Sequence, residues 1–250
     1  MMFGRPLALG RVLGAVSVSC LIITGMARAE EALRDFTQPD LRDFTASAVI
    51  VQKNDAVLHK IGRSFAQGYR VRESLIRFKE PLKLRVDAKA GFLSVRYVIN
   101  GNRKATAVPG LHINKVKDIT GRPGEAQGML DSGILTPSFL ANAVASRFVG
   151  RQELEGQTVP VFEFWYTADV LSRHHLLWID PEKRIILRHD VDDRYGHPWV
   201  RYVLKQPIQV VGIWVPTRLE VYSADGHLAA VTRYASVKVN TGLSESLFRL

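Results

Sequence analysis

LWIDPEKRIILR, residues 177–188, contains two short apolar runs on either side of an Asp-Pro-Glu-Lys turn. Pro181 fixes φ near the value that the first central position of a β-turn requires. The flanking runs, Leu177–Asp180 and Arg184–Arg188, are rich in leucine and isoleucine and are bounded by polar residues, a pattern typical of strands. The segment therefore predicts a β-hairpin.

The segments that follow repeat this alternation of apolar runs and turns. VVGIWVPTRLEVY, residues 210–222, is interrupted by Gly212 and Pro216, and the Ala-Asp-Gly sequence at 224–226 is a turn at hairpin spacing. The chain closes with VKVNTGLSESLF, residues 237–248. Consecutive hairpins of this kind form an antiparallel meander, which keeps one apolar face and one face in water.

Three motifs in this part of the chain resemble one known family. The Trp-Ile-Asp strand and turn, the Gly-x-Trp-Val-Pro-Thr strand and the terminal Val-Asn-Thr-Gly-Leu-Ser-x-Ser-Leu-Phe segment are similar to the C-terminal half of the outer-membrane lipoprotein carrier and lipoprotein-sorting superfamily. The resemblance covers about the last 75 to 100 residues, and the first half is similar only in its hairpin pattern. It implies a Lol-type half-barrel whose mouth is covered by helices, which holds acyl chains without covalent chemistry.

Alternating apolar residues predict strands in the rest of the chain as well. Thr45–Val51 is expected to be the first strand, after a short helix or two in Glu30–Phe44. Asn100-Gly101 predicts a hairpin turn with Lys104–Val108 as the return strand, and Ile113–Gly133 is expected to be mostly loop. About ten or eleven strands cannot lie flat, because their twist accumulates. The predicted fold is therefore mostly β, a strongly curved, unclosed antiparallel barrel with a few helices over its concave apolar face.

One helix is clearly indicated, between Thr136 and Gly150. Thr136 is a favourable N-cap, Pro137 suits the first helical position, and Gly150 follows the expected end. Its apolar stripe contains Phe139, Leu140, Ala143, Val144 and Phe148. The stripe fits either an ordinary core helix or a lid over the concave face of the sheet.

The parity of the alternating strands predicts a lipid-binding cavity on that concave face. The inward positions are expected to be Tyr69, Val71, Leu75, Leu84, Val95, Tyr97, Ile99, Phe162, Phe164, Tyr166, Leu187, Tyr202 and Val215. Burial contributes about 0.8 kcal/mol per CH₂ group, which is enough to hold an acyl chain out of water. The alternative is that these side chains simply fill a core.

The first 29 residues have the composition of a secretory signal peptide. Arg5 and Arg11 form a positive region, Val12–Thr24 is apolar but short for a membrane span, and Ala27–Ala29 supplies the small residues for cleavage after residue 29. An uncleaved anchor is the alternative. Cleavage removes three arginines, the only cysteine and no acidic residue, so the formal net charge falls from +10 to +7. The expected product is one periplasmic domain, residues 30–250, that needs no disulfide bond.

Basic residues are concentrated between Arg63 and Lys89, where eight of them accompany three acidic residues. Such a surface attracts anionic head groups or acidic partners, although a solvated face has the same composition. The sequence thus predicts transient contact with envelope membranes or membrane proteins. The export signal and the lack of a recognition motif argue against a nucleic-acid partner.

A group of histidines and carboxylates offers the alternative of metal chemistry. His189–Asp193 reads His-Asp-Val-Asp-Asp, with His197 after it and His174–His175 before it, and these residue types can bind a divalent metal. The spacing matches no known ligand pattern, and neighbouring residues of a strand point to opposite faces. We therefore predict no metal, no cofactor and no enzyme activity. A small metal-dependent hydrolase at His189, Asp192 and His197 is the rival hypothesis.

The function that these observations favour is a periplasmic binding protein for lipids or for the acyl chains of lipoproteins. The resemblance implies a carrier that transfers them between envelope membranes. An envelope sensor or regulatory protein on the same fold is the alternative of the same class.

Overall fold

A computed structural model describes residues 31–125, 128–142, 144–168 and 173–250, and thirteen strands and three α-helices lie within these ranges. The strands of the first half are β1 Asp43–Lys53, β2 Glu73–Lys79, β3 Lys83–Ala90, β4 Leu93–Asn100, β5 Arg103–Val108 and β6 Ile113–Asp118. The strands of the second half are β7 Val144–Leu154, β8 Gln157–Tyr166, β9 His175–Asp180, β10 Ile185–Asp192, β11 Pro198–Val210, β12 Ile213–Ser223 and β13 Leu228–Val239. The helices are α1 Asp55–Ile61, α2 Arg63–Gly68 and α3 Pro137–Ala141. The predicted signal peptide lies outside the described residues.

The thirteen strands form one antiparallel sheet in the order β6-β5-β4-β3-β2-β1-β13-β12-β11-β10-β9-β8-β7. β1 pairs with β13, so two meanders are joined in the middle of the sheet by the first and the last strand. β6 and β7 are the edges, and the sheet does not close. The predicted half-barrel is confirmed. Two strands were not expected, because β6 lies in the segment predicted as loop and β7 in the segment predicted as helix.

The predicted helix from Thr136 to Gly150 is wrong beyond its first turn. The Thr136 hydroxyl oxygen accepts a hydrogen bond from the Phe139 backbone N–H at 3.3 Å, as expected of an N-cap, but α3 ends at Ala141. Val144 and Phe148 lie on β7 instead, where they pair with Tyr166 and Phe162 of β8. Because positions 144, 146 and 148 also alternate with period two, the same spacing serves a strand, and pairing with β8 decides in its favour.

The amino-terminal segments also differ from expectation. The helix expected in Glu30–Phe44 is a single 3₁₀ turn at Leu33–Phe36, and the strand expected from Thr45 already begins at Asp43. The sequence between β1 and β2 forms α1 and α2, so Tyr69 and Val71 lie in the connection before β2 rather than on a strand. None of the helices in the described ranges is long and apolar enough to span a membrane.

The main apolar core lies between the concave face of the sheet and the segments that cross it. The crossing segments are residues 33–41, α1, α2 and residues 129–141. They contribute Leu33, Leu58, Met129 and Phe139, all of them buried. Predicted lid residues Phe139 and Leu140 belong to this core, as do Val144 and Phe148 from β7.

The terminal motif wraps onto the convex face and is held there by one carboxylate. Asp43 accepts hydrogen bonds from the backbone N–H groups of Thr241 at 2.8 Å and Gly242 at 2.9 Å. Burial opposes ionisation, but these bonds lower the pKa of Asp43 overall. The segment then places Phe248 against Val98 in a separate small cluster. The terminal motif that resembles the lipoprotein-sorting superfamily therefore has a structural role, and we call this segment, residues 240–248, the Asp43 strap.

Candidate functional site

A cleft of about 770 Å³ opens on the concave side of the sheet. Its floor is formed by β1, β2, β11, β12 and β13, and its roof by α2 and the residues on either side of it. The cleft is lined by Ala48, Ile50, Ile61, Gly62, Arg63, Phe65, Gly68, Tyr69, Val71, Ser74, Ile76, Asp131, Arg173, Trp199, Tyr202, Leu219, Thr232 and Tyr234. Most of these side chains are apolar or aromatic, which is the usual composition of a site for a small organic ligand.

The roof is fixed by capping and by one tryptophan. The Asn54 side chain accepts a hydrogen bond from the Val57 backbone N–H at 3.3 Å and starts α1. At the other end of α1, the Trp199 indole N–H donates to the Ile61 carbonyl at 2.8 Å and ties the helix to β11. Phe65 of α2 then meets the Trp199 ring edge to face, with 6.0 Å between ring centroids. These contacts fix the position of α1 and α2 relative to the sheet.

The inner end of the cleft is formed by the turn that carries Asp131. This turn is pressed against β11 and β12 at Gly133, which has a φ of +78°. A Cβ atom at Gly133 would lie 2.6 Å from Leu204 and 2.8 Å from Pro216, so only glycine fits. The Tyr234 hydroxyl donates to the Asp131 carbonyl at 3.1 Å and anchors the turn to β13.

The Asp131 carboxylate is the anionic group of the cleft lining. Its side chain is exposed to the solvent inside the cleft, and protein atoms are dense around it. Burial raises the pKa of Asp131. Within the described part of the chain no hydrogen bond to this carboxylate is formed, and no cation offsets the effect of burial on its pKa.

The negative charge of this carboxylate acts on several buried tyrosines. Burial raises the pKa of each one, and the negative charge of Asp131 raises it further. These residues are Tyr69, Tyr166, Tyr202 and Tyr234. Tyr97 joins them, because burial, Glu125 and Asp131 together raise its pKa to about 12. All five phenols stay protonated at neutral pH and can donate hydrogen bonds.

Behind Tyr202 the concave face is closed by a stack of rings. His175 stacks on Phe164 at 4.3 Å between centroids, and His189 stacks on Tyr202 at 5.3 Å. The two histidines share a hydrogen bond of 2.9 Å between Nδ1 of His175 and Nε2 of His189. Burial lowers the pKa of His189 to about 3 and that of His175 well below its usual value. Both rings are neutral members of the core.

The rival metal site is not assembled. His189 is buried under the concave face, while Asp190 binds Arg201 at 3.0 Å and also contacts Arg188. The Asp193 carboxylate accepts hydrogen bonds from the backbone N–H groups of Tyr195 and His197 in the next turn. In the described ranges no group of three or more His, Cys, Asp or Glu side chains is placed to hold a metal ion.

The predicted cavity residues fall into three sets. Those that line the cleft are Tyr69, Val71 and Tyr202. Those that face the concave side outside it are Leu84, Val95, Tyr97, Ile99, Phe162, Phe164, Tyr166 and Val215, nearly all of them members of the main core. The remaining two, Leu75 and Leu187, lie on the convex face.

Placing Leu75 and Leu187 inward was wrong, for two different reasons. Ile76 and Phe78 face the core, so Leu75 must point to the other side of β2. A bulge between Ile186 and Arg188 shifts the alternation in β10, and Leu187 packs beside Trp178 in a convex cluster.

Several lining residues were not predicted from the sequence. Phe65 and Ile61 belong to helices that follow β1, and Asp131 lies in a segment expected to be loop. Tyr234 and Leu219 lie on strands that were predicted, so their alternation could have indicated them. No local signal identifies Asp131, because its position depends on the contact of Gly133 with β11 and β12.

The mouth of the cleft is basic. Arg63 lines it, and Arg70 and Arg72 line an adjoining groove of about 320 Å³ that also contains Ile50 and Val71. All three arginines are exposed, and none forms an ion pair within the described residues. We call Arg63, Arg70 and Arg72 the mouth arginines. Arg173 is different, because its guanidinium lies 3.6 Å from the ring centroid of Trp199 and has a further contact.

Comparison with solved structures identifies this architecture. An outer membrane lipoprotein-sorting protein domain from Vibrio parahaemolyticus is similar with a TM-score of 0.57 and 14% identity, covering 87% of this chain and 93% of that one. A LolA superfamily protein from Nitrosomonas europaea gives a TM-score of 0.56 and 14% identity over 87% and 94% of the two chains. A DUF1329 family protein from Desulfovibrio piger gives 0.52 and 12% over 87% and 92%.

No protein-family model and no curated protein matches the sequence. At these identities the similarity establishes the fold alone. The resemblance inferred from the C-terminal motifs is confirmed at that level: the chain has the half-barrel fold of lipoprotein-sorting proteins.

Proposed function

We propose that this protein binds lipid or the acyl chains of lipoproteins in the cleft and carries them between membranes of the bacterial envelope. The observation that supports this most directly is the cleft of about 770 Å³ between the sheet and α2, with its mainly apolar and aromatic lining. Each CH₂ group that moves from water into such a lining contributes about 0.8 kcal/mol. A chain of ten or more carbons is therefore a suitable occupant.

The charge of the mouth fits a membrane-facing role. The mouth arginines lie beside the opening, so they would meet the anionic head groups of a bilayer before the cargo leaves or enters. The fold is also that of proteins named for lipoprotein sorting. We propose that residues 1–29 direct export and that residues 30–250 work in the periplasm.

A non-enzymatic role is part of the proposal. The histidines of the rival hydrolase are separated, since His189 is in the core and His197 is in an exposed turn. The polar groups of the cleft lining include one carboxylate and several phenols, which can orient a ligand.

The test is native mass spectrometry of residues 30–250, purified gently from a periplasmic extract, with lipid analysis of the released material. We expect a bound lipid or acylated peptide. A clean apo mass, together with no binding of a fluorescent fatty acid, would contradict the carrier role and favour the sensor alternative.

A matched pair of variants connects the binding to the cleft. Ile50→Glu places a carboxylate in the lining and should abolish fatty-acid binding, because burying the charge against an acyl chain is costly. Ile208→Glu is the control, since Ile208 is 42% exposed on β11 and does not line the cleft. Equal binding by both variants would place the ligand elsewhere.

A further inference from the structure

Asp131 is a polar group that an apolar ligand alone cannot satisfy. A hydrocarbon chain that filled the inner end of the cleft would displace the water around the carboxylate and leave it charged without a partner. Within the described residues the chain provides neither a hydrogen bond nor a neighbouring cation for it. When a ligand fills this end of the cleft, the partner for the carboxylate must therefore come from that ligand.

The surroundings of Asp131 favour a cation. Tyr69, Tyr202 and Tyr234 line the same cleft as Asp131, and the face of an aromatic ring attracts a positive group. Tyr69 stacks on Phe65 and Tyr202 on His189 with one face each. Trp199 has one face occupied already by the Arg173 guanidinium, which shows that rings of this cleft accept a cation. A metal ion is a poor candidate, because a single carboxylate is too few ligands for one.

We propose that the inner end of the cleft binds the ammonium group of a cationic amphiphile, with Asp131 as its counter-ion and the tyrosine rings around it. The apolar part of the ligand lies along Ile50, Ile76 and Leu219 toward the mouth. This inference rests on the proposed function and narrows it to a class of ligand that carries an amine or a quaternary ammonium group.

The experiment compares three probes that share a ten-carbon chain and differ in head group. Decyltrimethylammonium, 1-decanol and decanoate are titrated by calorimetry into residues 30–250 at pH 7.5, below their aggregation concentrations. We expect the cation to bind at least about tenfold more tightly than the alcohol, which corresponds to about 1.4 kcal/mol. Decanoate should bind most weakly of the three.

Two aspartate variants test whether Asp131 causes the preference for the cationic probe. Asp131→Asn keeps the shape and removes the charge, and it should bring the affinities for the cation and the alcohol to within about twofold. Asp40→Asn is the matched control, because Asp40 is exposed outside the cleft, and it should leave the preference unchanged.

The pH dependence of the wild-type protein is a second readout that needs no variant. The charge of decyltrimethylammonium does not titrate, and the phenols of Tyr69, Tyr97, Tyr166, Tyr202 and Tyr234 stay neutral at acidic pH. Arg63 and Arg173 are the cations of the same lining, and His175 and His189 lie behind Tyr202. As the pH falls and Asp131 takes up a proton, the advantage of the cation over the alcohol should disappear.

The outcomes separate this inference from the function on which it rests. Binding of all three probes without a preference for the cation, or a preference for decanoate, would overturn the role of Asp131 and leave the lipid-binding cleft standing. Failure of every probe to bind would instead overturn the proposed function. A preference that persists in Asp131→Asn would place the ammonium group elsewhere in the protein.

Discussion

The concave face of the sheet has two regions with similar side chains and different cover. Around Phe164 the face is closed, because the Phe139 ring of α3 packs on it edge to face at 5.5 Å and the His175 ring stacks at 4.3 Å. Around Ile50 and Ile76 the roof stands away from the sheet and leaves the cleft open. We call these the closed region and the open region.

The difference lies in where the hydrophobic free energy is used. In the closed region, contact between sheet and crossing segments removes apolar surface from water during folding, at about 25 cal/mol per Å². In the open region, part of that surface stays in water, and the same free energy becomes available when a ligand fills the space. Substitutions in the closed region should therefore affect stability, and those in the open region should affect binding.

The largest expected effect is on the closed region. Phe164→Ala removes a fully buried ring from contact with Phe139 and His175 and should lower the free energy of unfolding by about 3–5 kcal/mol, as measured by chemical denaturation. Ile50→Ala in the open region should cost only about 1 kcal/mol, since its side chain is partly exposed to the cleft, but it should weaken fatty-acid binding. If Ile50→Ala were as destabilising as Phe164→Ala, the open region would be a packed core.

A smaller effect should appear in the pH dependence of stability. His175 and His189 have lowered pKa values in the folded state, so the unfolded chain binds more protons than the folded one below pH about 6.5. With respect to these two groups, the free energy of unfolding is highest above that pH and decreases as the pH falls, down to about 3 for His189. Between pH 6.5 and 5 the contribution of His189 should reduce the free energy of unfolding by about 2 kcal/mol, and His175 should act in the same direction.

The variant His189→Gln measures that contribution. Gln keeps a polar group that can bond to His175 and cannot be protonated, so the slope of stability against pH in this range should fall. His59→Gln is the control, because His59 is exposed and forms no ion pair within the described residues. An unaltered slope in His189→Gln would mean that the pair is not neutral in the folded protein.

The closed region could be predicted from the sequence better than the open one. Alternation in β8, β11 and β12 correctly assigned Phe162, Phe164, Tyr202 and Val215 to the concave face, because strand parity is a local property. The hairpin at Asp180 could also be predicted from local sequence. The Asp180 carboxylate accepts a hydrogen bond from the Lys183 backbone N–H at 2.9 Å within the Asp-Pro-Glu-Lys turn.

The open region depends on contacts between distant parts of the chain. Asp131 lies at the inner end of the cleft because Gly133 fits against Leu204 and Pro216, which are about 70 to 80 residues further along the chain. The height of the roof depends on the bond from Trp199 to Ile61, which are 138 residues apart. The apolar residues Val144 and Phe148 fit the spacing of a helix and of a strand equally well. Only the pairing of this segment with β8 makes it a strand.

The smallest expected effect concerns how the open region meets a membrane. Changing the mouth arginines Arg63, Arg70 and Arg72 together to Gln should lower partition onto vesicles that contain phosphatidylglycerol by about tenfold, or about 1.4 kcal/mol. Raising the salt concentration should reduce the difference, because the attraction between exposed charges is screened. The measurement is vesicle co-sedimentation at low and at moderate ionic strength, with fatty-acid binding as a check that the cleft is intact.

The control removes the same number of charges near the other end of strands β1 and β13. Arg42, Lys238 and Arg249 are exposed near the Asp43 strap, away from the cleft lining, and their joint change to Gln should leave vesicle binding close to that of the unaltered protein. An equal loss in both triple variants would mean that net charge alone drives the encounter. A loss confined to the mouth arginines would mean that the open region is the part of the molecule presented to the bilayer, as the proposed carrier role requires.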